Sequence, residues 1–344
     1  MSNSDRIGIA SGGNWIVDQV KTVDNLPNRG MLGNIKSEQL STGGGPANAL
    51  ADLARMKVGF PLAGVGIVGD DEAGRYILDR FNELGVDVSN IATTTDAPTS
   101  YTDVMNEEST GDRVFFHCRG ANALFGPDAI PVEKLTCRIF HLAYLLLLDA
   151  MDAEDAEYGT AAARALHMLQ EAGIKTSLDL VSEESDRFKT IVPPALKYVD
   201  YLIMNEIEAG RVVGKDVRKG DELDGALLAE VVEQLSGMGS MEIVAVHMPE
   251  GMYARDSAGN KYSIGSLQLP DGFVVSTVGA GDAFCAGMLY GLHEGWDYAK
   301  AGRLGCCCAA AGISAPGASD GVGELSEVLA LGDKFPEKPP PVAV

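Results

Sequence analysis

Several things are missing from this sequence, and each absence removes a class of function. No G-x-x-x-x-G-K-[ST] string occurs, which excludes a Walker-type phosphate loop. The first turn, "ASGGNW", lacks the G-x-G-x-x-G spacing of a dinucleotide fold, so a nicotinamide- or flavin-dependent oxidoreductase is not expected. None of the six cysteines stands in a C-x-x-C pair, so a zinc site has little support. Cys306, Cys307 and Cys308 are consecutive and on a helix would point about 100° apart, as small buried apolar residues do. No run approaches the ~20 apolar residues of a membrane-spanning helix. The start, "MSNSDRIGIASGG", has no charged segment followed by an apolar stretch of signal-peptide length. A reducing, cytoplasmic setting is therefore expected. Basic residues are also scarce, with 27 Lys and Arg against 49 Asp and Glu, a net charge of −22. Such a surface repels nucleic acid and anionic membranes, so neither is expected as a partner. Any phosphate site in this chain has to be made locally positive by backbone N–H groups and a metal.

What is present is a large apolar fraction, 46% of 344 residues, enough for a substantial core. Short apolar strands such as "RIGIAS", "FPLAGVGIVG", "RIFHLAYLLLL", "KTSLDL", "DYLIMN" and "MEIVAVHM" alternate with amphipathic helices. That rhythm predicts an α/β fold with a central, mostly parallel sheet and helices on both faces. Two β-rich insertions, at about 18–42 and 96–118, break it. They are far apart in sequence and are expected to pair into a small separate sheet, a lid, the second as a hairpin around "NEESTGD". The reading is one α/β domain over 1–335 followed by a Pro-rich tail, 336–344, extended or disordered.

The most informative stretch is "STVGAGDAFCAGML", residues 276–289. Small residues lead into an apolar helix, and a helix N-terminus offers unpaired N–H groups to an anion. An aspartate there is costly unless it has a task. The pattern suits phosphoryl transfer: Gly279, Ala280 and Gly281 hold the moving phosphoryl group, and Asp282 accepts the proton of the attacking hydroxyl.

With an early "STGGGPANAL", Asn205-Glu206-Ile207-Glu208 at a strand end and the late "STVGAGD", the chain resembles the ribokinase-like (PfkB-type) carbohydrate kinases, in motif order and spacing, from about residue 5 to 332. The resemblance implies a ribokinase-like fold, ATP and Mg2+ as cofactors, and Asp282 as catalytic base above an anion hole of Gly279, Ala280 and Gly281. It places Asn205 and Glu208 near the triphosphate, with Glu208 organising magnesium through water. It gives Asp18 two sugar hydroxyls to bind, and Gly44, Gly45 and Asn48 a role in lining the sugar site and pivoting the lid. His247 and Gly251, in "VHMPEGMYA", fall under the nucleotide, in a segment one residue shorter than in many members. Ser276 stands where many members have Asp, which leaves the use of a monovalent cation open.

Arg119, at the expected cleft edge after "RVFFHC", is a candidate for substrate contact. Tyr144, near the end of a core strand, is a candidate cleft residue, whereas His117 and His141 read as packed strand residues. Val114, Phe115 and Phe116 on the lid suggest pairing with a second lid, hence a homodimer. The expected activity is ATP-dependent phosphorylation of a primary hydroxyl on a sugar or sugar-like small molecule. The alternatives are a nucleoside kinase of the same family and a catalytically silent sugar- or nucleotide-binding regulator.

Overall fold

The computed structural model describes residues 6–110 and 112–344. Residues 1–5, which open the expected domain and carry part of the leader reading, and Gly111, in the expected lid turn, lie outside the described residues. In chain order, β1 (Ile9–Gly13) is followed by β2 (Ile16–Val23), β3 (Ile35–Gly43), α1 (Gly45–Arg55), β4 (Leu62–Gly69), α2 (Glu72–Glu83) and β5 (Asp87–Thr94). Next come β6 (Tyr101–Glu107), β7 (Arg113–Cys118), β8 (Ile139–Leu145), α3 (Ala161–Glu171), β9 (Lys175–Leu180) and α4 (Phe188–Leu196). Then follow β10 (Tyr201–Asn205), α5 (Glu206–Val213), α6 (Gly225–Ser236), β11 (Ile243–Met248), β12 (Gly251–Asp256) and β13 (Lys261–Gly265). Three helices end the chain: α7 (Ala280–His293), α8 (Tyr298–Gly312) and α9 (Leu325–Lys334).

Nine strands form the central sheet in the order β13-β12-β11-β10-β9-β8-β1-β4-β5. All neighbours are parallel except β11 with β12 and β12 with β13. Its inner strands, β1 and β8 to β11, are buried on both faces, as a sheet covered twice by helices requires. In β8, Ile139 packs into one core layer with Phe284 and Leu289, while Phe140 and Leu142 enter the other with Leu166 and Val192. The helix α4 was not evident in the sequence because it contains Pro193 and Pro194. It forms because Phe188, Ile191, Val192, Ala195 and Leu196 are all buried, and tertiary packing outweighs propensity.

The two insertions pair with each other in a four-stranded sheet, β3-β2-β6-β7. The chain crosses from the central sheet to this lid through Asn14 and Trp15. Trp15 is fully buried, edge-on to Phe81, and donates its indole N–H to the Val65 carbonyl at 2.9 Å. The fully buried Asn122 clamps the crossing. Its amide donates to Asn14 Oδ1 (2.6 Å) and the Trp15 carbonyl (2.9 Å), and its oxygen accepts from the Trp15 N–H (3.2 Å). The lid's outer strand β7 leaves Phe115 60% and Phe116 59% exposed.

One acid in α1 is out of place by ordinary rules. Asp52, a turn after Asn48, is fully buried and neither carboxylate oxygen has a hydrogen-bond partner. Burial, and then the nearby charge of Asp282, raises its pKa well above the ordinary carboxylate value. The native state therefore holds a proton that the unfolded chain has already released. Stability falls as pH rises from the unfolded pKa through the native one, and is greatest on the acid side of that window. Asp52→Ala is expected to stabilise the protein at pH 8 by about 1–3 kcal/mol, the usual cost of a buried unpaired polar group. The gain should shrink towards pH 4; melting curves of both proteins across that range check it, and equal melting temperatures at pH 8 would contradict it.

Candidate active site

The N-terminus of α7 is the centre of the site. Gly279 caps it at φ 77°, where an added Cβ would overlap the Ala318 carbonyl, so only glycine fits. Ala280, Gly281 and Asp282 form the first turn, so their N–H groups have no partner within the helix. Asp282 is 6% exposed. Its Oδ1 accepts from the Tyr144 hydroxyl at 2.6 Å and its Oδ2 from the Asn48 amide at 2.8 Å. Burial raises its pKa to about 6, and the two hydrogen bonds hold it from rising further. A carboxylate poised near neutrality and fixed from both sides is equipped to take a proton.

Asn48 reaches Asp282 because α1 begins immediately after Gly44. Gly44 has φ 90° and lies against the Asn14 carbonyl, a position that a side chain would block. At Gly45 the backbone approaches Ala143 and the Tyr144 ring, with a built Cβ only 2.6 Å and 2.8 Å away. Thus "STGGGPAN" is packed directly onto the residues that hold the base. Asp18 lies on β2, paired with Ser41 of β3 and Thr102 of β6 at the centre of the lid. It is half-buried beside Gly43. Burial raises its pKa to about 6, against a hydrogen bond with Thr102.

On the opposite side, β10 ends in Asn205, which caps α5. Asn205 Oδ1 accepts from the Glu208 N–H at 2.9 Å, and Glu208 Oε2 accepts from the Asn205 N–H at 3.1 Å, a reciprocal capping box. Ser182 donates to Glu208 Oε1 (2.9 Å) and accepts from the Asn205 amide (3.0 Å). The motif therefore stabilises a helix start and also presents its acid to the cavity. Glu208 is raised to about 7, chiefly by burial. Asp179, at the end of β9, is raised well above the ordinary range by burial and then by the charges of Glu208 and Asp282. Asp179 was not singled out in the sequence. The only signal was an acid near the end of an otherwise apolar strand, "KTSLDL".

Two adjoining cavities meet here. The smaller, about 230 Å³, is lined by Tyr144, Asp179, Ser182, Asn205, Glu208, Thr277 and residues 279–282. The larger, about 560 Å³, shares Asn205, His247, Thr277, Ala280 and Gly281 with it, then continues over Met248, Gly251, Leu267, Phe284, Ala309 and Ile313. His247 lies with its ring centroid 5.0 Å from that of Phe284, and burial lowers its pKa to about 4, so the ring is neutral near pH 7. The structure thus brings together Gly45, Asn48, Tyr144, Asn205, Glu208, His247, Gly251 and residues 279–282, with Asp18 on the lid beside the glycine loop. Arg119 is placed differently. Its guanidinium donates to the Asp149 carboxylate at 2.8 Å and the Leu146 carbonyl at 3.3 Å, so the expected substrate contact competes with an ion pair already formed. Among the described residues, no three of His, Cys, Asp and Glu are grouped to hold a metal directly.

Comparisons with known proteins bear on the family and the fold. The family described as "pfkB family carbohydrate kinase" matches residues 7–324. A 5-dehydro-2-deoxygluconokinase of Shouchella clausii is 27% identical over 297 residues, 84% of this chain and 85% of that protein. A ribokinase of Arabidopsis thaliana is 24% identical, over 90% of this chain and 76% of its own. The solved structure of Arabidopsis thaliana ribokinase with ribose and ATP superposes with a TM-score of 0.78, at 22% identity, covering 95% of this chain and 98% of that one.

Proposed function

Because the chain belongs to the pfkB family of carbohydrate kinases, we propose that it transfers the γ-phosphoryl group of ATP to a primary hydroxyl of a sugar or sugar acid, with Asp282 as the base. The observation that carries this reading is the Asp282 carboxylate, fixed by Tyr144 and Asn48 in the first turn of a helix whose opening residues, 279–282, line the same cavity. The substrate oxygen attacks the γ-phosphorus, the bond to the β,γ-bridging oxygen breaks, and ADP leaves. The hydroxyl proton goes to Asp282, and the N–H groups of residues 279–281 hold the equatorial oxygens.

Asp18, Gly44, Gly45 and Asn48 would hold the sugar, with Arg119 at the rim. His247 and Gly251 would lie under the nucleotide in the larger cavity. The charges of Glu208 and Asp282 raise the pKa of Asp179, and that of Asp282 raises Glu208, so negative charge is concentrated at this end of the cavity. Asn205, Glu208 and Asp179 fit magnesium held through water, and that ion would supply neutralisation of the triphosphate charge. All six cysteines are free, which suits a reducing cytoplasm. The exposed Phe115 and Phe116, on a sheet edge, support a homodimer through the lid. Light scattering at micromolar concentration is expected to give a dimer for the wild type and a monomer for Phe115→Ser with Phe116→Ser. A wild-type monomer would overturn the dimer.

The experiment that tests the activity is ADP release with ATP and magnesium against pentoses, hexoses, sugar acids, sugar phosphates and nucleosides. Ribose and 5-dehydro-2-deoxygluconate belong in the panel, since the relatives' names point to them. Turnover with one compound, lost in Asp282→Asn, supports the kinase. Binding without any turnover supports the regulator instead.

A further inference from the structure

The C-terminal segment, which in sequence reads as an extended or disordered Pro-rich tail, is extended and built into the fold. After α9, Glu337 bridges to Leu267 in antiparallel register, and the Lys338 N–H donates to the Ser266 carbonyl at 2.7 Å. Further on, the Val342 N–H donates to Ser263 Oγ at 3.1 Å, and the Val342 side chain is buried. Glu337 also forms an ion pair with Arg303 of α8. The body of the protein makes room for this path. At Gly265 a Cβ would overlap the Lys338 carbonyl, and at Gly225 it would meet the Pro341 carbonyl at 2.6 Å.

The segment delivers one side chain to the larger cavity, that of Lys338, beside Pro249 and Ser266. Lys338 is the sole Lys or Arg among the residues lining that cavity. The acids nearest to it are held by hydrogen bonds to Arg218, although Lys338 also lowers the pKa of Glu250 through its charge. Glu206 is paired with Arg218 at 2.8 Å, and His247 is neutral. Glu250, next to Pro249, is held by the same Arg218 through both oxygens, at 3.1 Å and 2.6 Å. Lys338 Nζ has one long hydrogen bond, 3.4 Å to the Pro249 carbonyl, which leaves ammonium donors free. In a chain of net charge −22, a polyanionic ligand entering here meets this cation and the backbone nest at the other end.

We propose that residues 335–344 form a strap that completes the nucleotide cavity, and that Lys338 is a nucleotide-binding residue carried by it. The inference rests on the kinase reading of that cavity. Lys338 acts on the nucleotide alone, by charge and by hydrogen-bond donation to an acceptor on the base, ribose or α-phosphate. The sugar end of the cleft is left to Asp18 and Asn48.

The test is steady-state kinetics on the full chain, with ATP and the sugar varied separately, and calorimetric titration of ATP. Lys338→Ala is expected to raise KM for ATP about 5- to 10-fold, an effect that weakens at high salt, with KM for the sugar within twofold of the wild type. Lys338→Arg should restore most of the loss. Gly265→Ala, which pushes the strap off its path without touching the side chain, should raise KM for ATP to a similar extent. Adding Lys338→Ala to it should then do little more. An unchanged KM for ATP in Lys338→Ala, in a wild type that turns over, overturns the role of Lys338 and leaves the kinase standing. A wild type that neither binds nor consumes ATP overturns both. Lys338 is exposed, so its replacement carries little risk to folding even if Gly265→Ala proves unstable.

Discussion

Asp282→Asn is expected to lower kcat by about 10³-fold, with substrate and nucleotide KM changed little. A positioned general base contributes ~10²- to 10⁴-fold, and the amide keeps the shape of the carboxylate without its capacity to take a proton. The hydrogen bonds from Tyr144 and Asn48 can still be offered to the Asn side chain, so the loss reports chemistry rather than collapse of the site. The pH dependence carries the same information. The active form is the ionised carboxylate, so kcat should climb as pH rises through about 6 and level off above it. Tyr144→Phe removes a hydrogen bond that favours the charged form, so the limb should move to higher pH. A limb that stays in place in Tyr144→Phe, or an Asp282→Asn enzyme within tenfold of the wild type, would mean that another group takes the proton.

How far the sequence reaches can be seen by comparing Asp282 with Asp179 and Lys338. Asp282 was legible because its signal is local. Glycines with little bulk, an acid and an apolar helix stand within a dozen residues, and a helix N-terminus has the same chemistry in any fold. The alternation of strands and helices was legible for a similar reason, since burial on both faces demands apolar runs. The pairing of the two insertions into one sheet was expected from their shared break in rhythm. Asp179 carries no such local mark. It matters because β9 ends beside the start of α5 and beside Asp282, a proximity created by the order of strands in the sheet. Asn122 is the same kind of residue, since its amide is read only when the crossing at Trp15 is seen next to it. Of the two readings that composition left for the tail, extended or disordered, the structure shows the extended one, docked on the fold. Proline runs lack donors for regular structure, yet an extended segment suits a sheet edge that has a glycine at the point of contact. Arg119 was expected at the cleft edge, and the sequence held no sign that Asp149 would already pair with it.

Asp18→Ala should cost about 10²- to 10³-fold in kcat/KM for the sugar, with KM for ATP unchanged within a few-fold. A hydrogen bond to a charged group is worth ~1.5–3 kcal/mol, and a carboxylate receiving two neighbouring hydroxyls at once has two such bonds to lose. Asp18 is free to do this. It makes no ion pair among the described residues, and its partner within the lid is the neutral Thr102. Its place on the middle of β2, flanked by β3 and β6, couples sugar binding to the position of the lid. Since burial lifts its pKa to about 6, the ionised form that binds hydroxyls fades as pH falls below that value. KM for the sugar should therefore rise on the acid side while kcat follows Asp282, so two groups with similar pKa separate by the kinetic constant each controls. The decisive comparison is a pair of sugars, the substrate and an analogue lacking one of the two hydroxyls. The wild type should lose activity steeply on the analogue, and Asp18→Ala should hardly distinguish the two. If both enzymes discriminate equally, those hydroxyls are held by another residue, and the Asp18 carboxylate serves the lid through Thr102 instead.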